Sequence, residues 1–162
     1  MAISIFMELE SETDGVITGG CDVKGREGWM ECVAMTHKVY SPVDKTTGML
    51  VGARVHEPYK VTKMTDVATP LLYKHLCTGA KMTQVKLHFY QITPQGKELE
   101  YFTIVLENAQ VISMAPVLYN TREEKYEKMP HLEEIHFGYE RITWTENKDN
   151  IAHMDDYRQE KM

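Results

Sequence analysis

Residues 52–79 read GARVHEPYKVTKMTDVATPLLYKHLCTG, and two periods meet inside them. From Ala53 to Met64 the pattern alternates, with Ala53, Val55, Tyr59 and Val61 on one face, as a half-buried strand requires. Pro58 interrupts that run; without an N–H to give to a ladder it implies an edge or a bulge. From Thr69 the period becomes helical. Thr69 suits an N-cap, Pro70 suits the first helical position, and Leu71, Leu72, His75 and Leu76 fall on one face before Gly79 stops the helix. A helix of about two and a half turns is too short to stand alone, so it must pack on a sheet.

Outward from this segment the dominant period is two. Ile3 to Leu9 reads as a first strand, and Gly15 to Gly20 as a turn region. Trp29 to Tyr40 reads as one long strand, apolar in places on both faces. Ser41 to Gly52 carries Pro42, Asp44, Thr46, Thr47 and Gly48 and reads as a long loop. A loop of that length is often functional, although a plain hairpin connection fits equally well. Gln84 to Ile92 places Val85, Leu87 and Phe89 inward, and residues 93–97 form a hairpin turn. Leu99 to Glu107 and Ala109 to Ala115 read as meander neighbours, and Asn120 to Lys128 as a charged loop. Glu133 to Glu146 is the last expected strand. Its apolar phase switches from Ile135, Phe137 and Tyr139 to Ile142 and Trp144, which implies a bulge near Glu140 and Arg141. The polar tail, residues 147–162, either frays or docks on a neighbour. Roughly eight strands and one helix in a single domain spanning residues 1–162 give a mainly β fold, a closed barrel or a sandwich. Strands apolar on both faces need a second apolar partner, which motivates an oligomer.

Composition narrows the function. The chain has 162 residues, of which 43% are hydrophobic and 26% charged, as in an ordinary globular domain. Its net charge of -6, with basic residues dispersed, argues against a nucleic-acid partner. Cys21, Cys32 and Cys77 are odd in number and widely spaced, so buried reduced thiols are expected rather than a disulfide framework or zinc ribbon. The N-terminus lacks a basic n-region and a long apolar stretch, so no cleaved signal peptide is expected, and no apolar run is long enough for a membrane-spanning helix.

Catalytic motifs are not evident. His131 and His136 in HLEEIH are five apart, not the four of HExxH, and face opposite sides of a strand, so they cannot easily share a metal. His75 reads as a hydrogen-bonded core histidine, and His56 and His88 as strand residues. There is no GxSxG, no phosphate-binding glycine loop before a helix and no cysteine in a recognisable catalytic context. Asp44 and Asp66 suit turn and cap roles, and Glu123, Glu124 and Glu127 a solvated loop. No cofactor, metal site or enzymatic activity is expected.

The segment Gly52 to Gly79, with R-V-H-x-P leading into A-T-P-L-L, resembles the corresponding segment of the haemolysin-coregulated protein (Hcp) family. The likeness continues through VKLHFYQ, GKELEYFTIVLENAQVISM and EEIHFGYERITWT, and weakens in the loop 120–128 and the tail. The resemblance implies a compact β-barrel of two antiparallel sheets with one short flanking α-helix. It also implies hexameric rings that stack into the inner tube of a type VI secretion system, working with sheath, spike and baseplate proteins and carrying effectors in the lumen. The protein would be made in the bacterial cytoplasm and reach the extracellular space without a cleaved signal. By position, Ser41 to Gly52 is the family's projecting loop, which makes Val43, Asp44, Lys45, Met49 and Leu50 the expected inter-subunit and inter-ring contacts. Head-to-tail contacts that close make such rings. The competing readings are a monomeric small-ligand-binding barrel with an internal pocket, and a metal enzyme built on the histidines.

Overall fold

The computed structural model describes residues 3–156. The chain runs β1 (Ile3–Ser11), β2 (Gly15–Ile17), β3 (Met30–Thr36), β4 (Val39–Tyr40), β5 (Val55–His56), β6 (Tyr59–Met64), α1 (Thr69–Thr78), β7 (Lys81–Ile92), β8 (Glu98–Val117), a 3-10 turn (Glu124–Tyr126), β9 (Leu132–Gly138), β10 (Arg141–Glu146) and β11 (Ile151–Asp156). Nine strands make one sheet in the order β11-β10-β8-β7-β1-β3-β6-β9, with β2 beside β1 and an extra β8–β9 pairing that closes it. Every pairing is antiparallel. The closed circuit is therefore β8-β7-β1-β3-β6-β9, and β10 and β11 continue outward from β8. The mainly β barrel with a short helix is as expected. The two-stranded sheet β4-β5 stands apart from the main one.

Closure depends on the 20-residue strand β8. Up to Glu107 it pairs with β10, and from Gln110 onward with β9. The hinge is Asn108, whose φ of 49° lies in the left-handed region that asparagine tolerates better than most residues. The expected meander between residues 107 and 109 is thus a kink within one strand. On the facing side, β9 ends at Gly138 and β10 begins at Arg141. The phase switch read as a bulge is this corner, where the chain passes from one partner segment of β8 to the other.

Other boundaries also differ from the sequence reading. Residues 29–40 break into β3 and β4 around His37 and Lys38, residues 15–17 form a strand rather than a turn, and Pro58 separates β5 from β6. The tail supplies β11, zipped to β10 from Arg141↔Asp156 to Glu146↔Ile151, so residues 151–156 are a strand. The remainder of the expected tail, residues 157–162, lies outside the described residues.

Alternation fills the barrel. Met7, Leu9, Met30, Val61, Val85, Leu87, Leu106, Ile135 and Phe137 are buried in one core, and each such side chain contributes about 1.5–3 kcal/mol by leaving water. Helix α1 packs against β8, burying Leu72 and His75. Its N-cap position is Ala68, not Thr69. The Asp66 carboxylate takes the Ala68 N–H at 3.0 Å, and Thr69 Oγ1 instead donates to Glu133. Pro70 and the left-handed Gly79 sit at the two ends as expected. His75 is the expected core histidine, 2.5 Å from Ser11 Oγ and 2.7 Å from the Leu71 carbonyl.

Candidate functional site

The stretch read as a long loop is an ordered arm. Val39 pairs with His56 and Tyr40 with Val55. Further out, the Val51 N–H donates to the Pro42 carbonyl at 2.8 Å, and Val43 bridges Leu50. The tip turns on Asp44. Its N–H donates to the Met49 carbonyl, its own carbonyl accepts from Gly48 N, and its carboxylate accepts the Thr46 N–H at 2.7 Å. Gly48 takes φ 73° there, a backbone that glycine adopts without penalty. Asp44 thus fulfils the turn role read from sequence.

The arm exposes apolar surface. Val43, Met49, Leu50 and Val51 are 54%, 70%, 71% and 53% exposed. Lys45 at the tip is exposed and has no carboxylate partner among the described residues. Four exposed apolar side chains on one projecting ribbon are the kind of patch that marks an interaction surface. The expected contact residues Val43, Asp44, Lys45, Met49 and Leu50 are therefore all brought together at the tip.

The arm is rigidly rooted. Arg54 grips Asp155 of β11 through Nε and Nη2, both at 2.5 Å. His56 Nε2 lies 2.7 Å from the same carboxylate, and its Nδ1 lies 2.7 Å from the Tyr139 hydroxyl. That hydroxyl also meets His37 Nε2 at 2.8 Å. The Arg54 contact, together with His56, holds the Asp155 carboxyl below its ordinary range, while burial pushes His37 below its ordinary 6.5. Sequence reading placed His56 on a strand face and named no partner for it. The missed link is β11, which sequence left as part of a polar tail.

The other titratable side chains among the described residues are mostly engaged in local pairs. His88 lies between Glu8 and Glu100, 2.6 Å from each, and stacks on Trp29 at 4.4 Å. His131 precedes β9 and His136 lies within it. Among the described residues no group of three His, Cys, Asp or Glu side chains could hold a metal ion. Cys32 is buried in apolar surroundings, which push its thiol up to about 12 and make it a poor nucleophile. Among the described residues no helix is long and apolar enough to cross a membrane.

Residues 6–145 match the family model described as "Type VI secretion system effector, Hcp". The chain is 31% identical over 167 residues to the Major exported protein of Pseudomonas aeruginosa, covering 98% of this chain and 97% of that protein. It is similar to the structure of the Hcp1 protein from the E. coli EAEC 042 pathovar, solved in a mutant form. That match has 38% identity, a TM-score of 0.86 and coverage of 96% of this chain and 99% of that one. A crystal structure of an Hcp protein superposes with a TM-score of 0.91 at 26% identity, covering 97% and 99% of the two chains. The rooted arm on a closed barrel and the family match over most of the chain lead to one conclusion: the chain belongs to the Hcp family of type VI secretion systems, whose members are structural tube proteins and not enzymes.

Proposed function

We propose that this chain, as one barrel domain, assembles into hexameric rings that stack into the inner tube of a type VI secretion system, with the arm making the contacts between rings. The observation that carries the reading is the tip itself, where Met49 and Leu50 stand about 70% exposed on an ordered ribbon. A side chain held out of the core on a rigid root gains hydrophobic free energy only against a partner. Docking a pre-ordered arm also avoids much of the entropy cost of fixing a flexible loop. The outward apolar side chains Val33 and Leu99 add surface for lateral contacts.

On this reading the protein is made in the bacterial cytoplasm and exported without a cleaved signal. Its partners are further copies of itself, the sheath, spike and baseplate proteins, and effectors carried in the lumen. A ligand-binding barrel is disfavoured because inward-facing side chains fill the barrel's centre. Light scattering combined with negative-stain imaging tests the proposal: ring-shaped hexamers that stack are expected. Replacing residues 43–50 with a Gly-Ser linker should leave rings and remove stacks. Unaltered stacks would remove the arm from the mechanism, and a monomer at all concentrations would remove the tube.

A further inference from the structure

The reading of the arm as a stacking element leaves open where on the next copy it seats. We infer that its tip docks in a groove on the outer face of β1, β2 and β7, with Lys45 meeting glutamates on the groove's rim.

Geometry selects this groove by position. Met7 pairs with Met30 and Ile5 with Cys32, so β3 runs toward the Ile3 end of β1, and the arm emerges beyond Thr36 at that end. The groove lies toward the other end of β1. It is lined by Glu8, Glu10, Val16, Glu27, Trp29 and Lys86, among others, and encloses about 420 Å³, room for several times the ~30 Å³ of one water. The arm's root and the groove therefore lie toward opposite ends of β1. A projection at one end and a recess at the other make a heterologous contact that propagates from copy to copy.

Chemistry agrees with position. Val16 is 75% exposed at the groove, an apolar surface beside the Trp29 ring that suits Met49 and Leu50. Three carboxylates face one ammonium in the lining, and Glu8 is already engaged by His88. Glu10 and Glu27 are exposed. Backbone N–H groups of Glu27 itself and Gly25 lower the Glu27 carboxyl, so it stays ionised to meet a cation. Lys45 is the tip's one cation. The recess at the arm's own root competes poorly: its lining sets Lys38 and Lys60 against a single carboxylate, Glu57, and it sits at the arm's end of the barrel. The recess lined by Glu107, Glu140, Arg141 and Asp156 is predominantly polar and offers Met49 and Leu50 little.

The decisive experiment places the photoreactive residue p-benzoylphenylalanine at position 49 in a mixture of ¹⁴N- and ¹⁵N-labelled full-length chains. Stacked material is irradiated and the mixed-isotope cross-links are mapped. Cross-links to residues 8–29 or 84–86 of another copy are expected. Cross-links to any other surface overturn the groove and leave the arm reading intact. A charge exchange reads the same contact by function. Lys45→Glu alone and Glu27→Lys alone should each cut the stacked fraction several-fold at low salt, and the two together should recover at least half of it. Glu27→Lys also removes the carboxylate that accepts the Gly25 N–H, so circular dichroism checks that the fold is retained. If Gly-Ser replacement of the arm abolishes stacks while Glu27→Lys and Glu10→Lys leave them unchanged, the groove is wrong. If arm replacement itself changes nothing, the reading on which the groove rests is what has failed.

Discussion

The hydroxyl of Tyr139 lies 2.8 Å from Nε2 of His37 and 2.7 Å from Nδ1 of His56. One phenol thus joins the chain entering the arm to the strand leaving it. Tyr139 is 4% exposed and stands at the corner between β9 and β10, so the arm's root is fixed to the barrel wall. A phenol can donate to one imidazole while it accepts from another, so a single hydroxyl can serve both rings.

Tyr139→Phe keeps the ring and removes that junction. The buried His56 ring and the half-buried His37 ring each lose a partner, which should cost roughly 1–3 kcal/mol. Urea unfolding should show a lower midpoint at an unchanged slope. Hydrogen exchange should speed up at residues 38–57 more than in β7 or β8. Equal acceleration across the barrel would mean that Tyr139 supports the core in general and not the arm.

His37 gives the root a pH dependence. Burial lowers its pKa from the ordinary 6.5, so the folded protein resists a proton that the unfolded chain accepts. The sign follows from linkage: the contribution is complete above about pH 6.5 and is lost as pH falls through the lower folded value. Stability should therefore decline on acidification below that point. His37→Gln should flatten this part of the curve, at some cost in stability at neutral pH. A wild-type profile level from pH 7 to 5, with the mutant parallel to it, would contradict the assignment. Asp155, also lowered, acts only below its ordinary 3.8, well separated from this window.

Much of the fold was legible because alternation and caps are local signals. The inward set Val85, Leu87 and Phe89, the helix from Pro70 to Gly79 and the Asp44 turn all follow from neighbouring residues. The misses are long-range. Nothing near Asn108 says that β8 continues through it, because the kink is set by which partner lies on each side. Residues 151–156 looked like tail because their strand character rests on pairing with β10 and on the Arg54–Asp155 contact, about a hundred residues apart. The arm's contact residues could be picked out by composition, but its root of His37, His56, Tyr139 and Asp155 is assembled from four separate stretches of chain.

Two glycines separate crowding from backbone conformation. A Cβ on Gly19 would come within 2.4 Å of Met30 Cγ and 2.6 Å of the Trp29 carbonyl oxygen, whereas one on Gly48 meets nothing within 4 Å. Gly19→Ala must displace backbone as well as the fully buried Met30, an overpacking cost of about 1–3 kcal/mol. Gly48→Ala pays only for its left-handed φ, about 1–2 kcal/mol, and the strain is confined to the exposed tip. Thermal melts should therefore show a clear loss for Gly19→Ala. Gly48→Ala should alter stacking more than global unfolding, because a loosened tip turn need not open the barrel. The reverse ranking would show that the arm turn is integral to the cooperative fold.

Lys63 is the largest departure from the apolar alternation of β6. It follows Tyr59 and Val61 onto the buried face with no exposed surface, and its ammonium lies 2.5 Å from Glu133 and 2.9 Å from Asp66. Glu133 is 1% exposed and binds Thr69 through the same oxygen, while its other oxygen has no hydrogen-bond partner in the structure. This pair joins β6, β9 and the start of α1, but desolvating both charges offsets much of their attraction. Lys63→Met leaves the Glu133 charge buried and uncompensated and should cost about 3–5 kcal/mol. Adding Glu133→Leu removes that charge, and the double variant should recover most of the loss or exceed the parent. The double-mutant cycle measures the coupling directly. If the second substitution deepens the loss, the pair's stabilising attraction outweighs its desolvation, and the polar contacts around Thr69 and Asp66 hold the helix more tightly than apolar packing can.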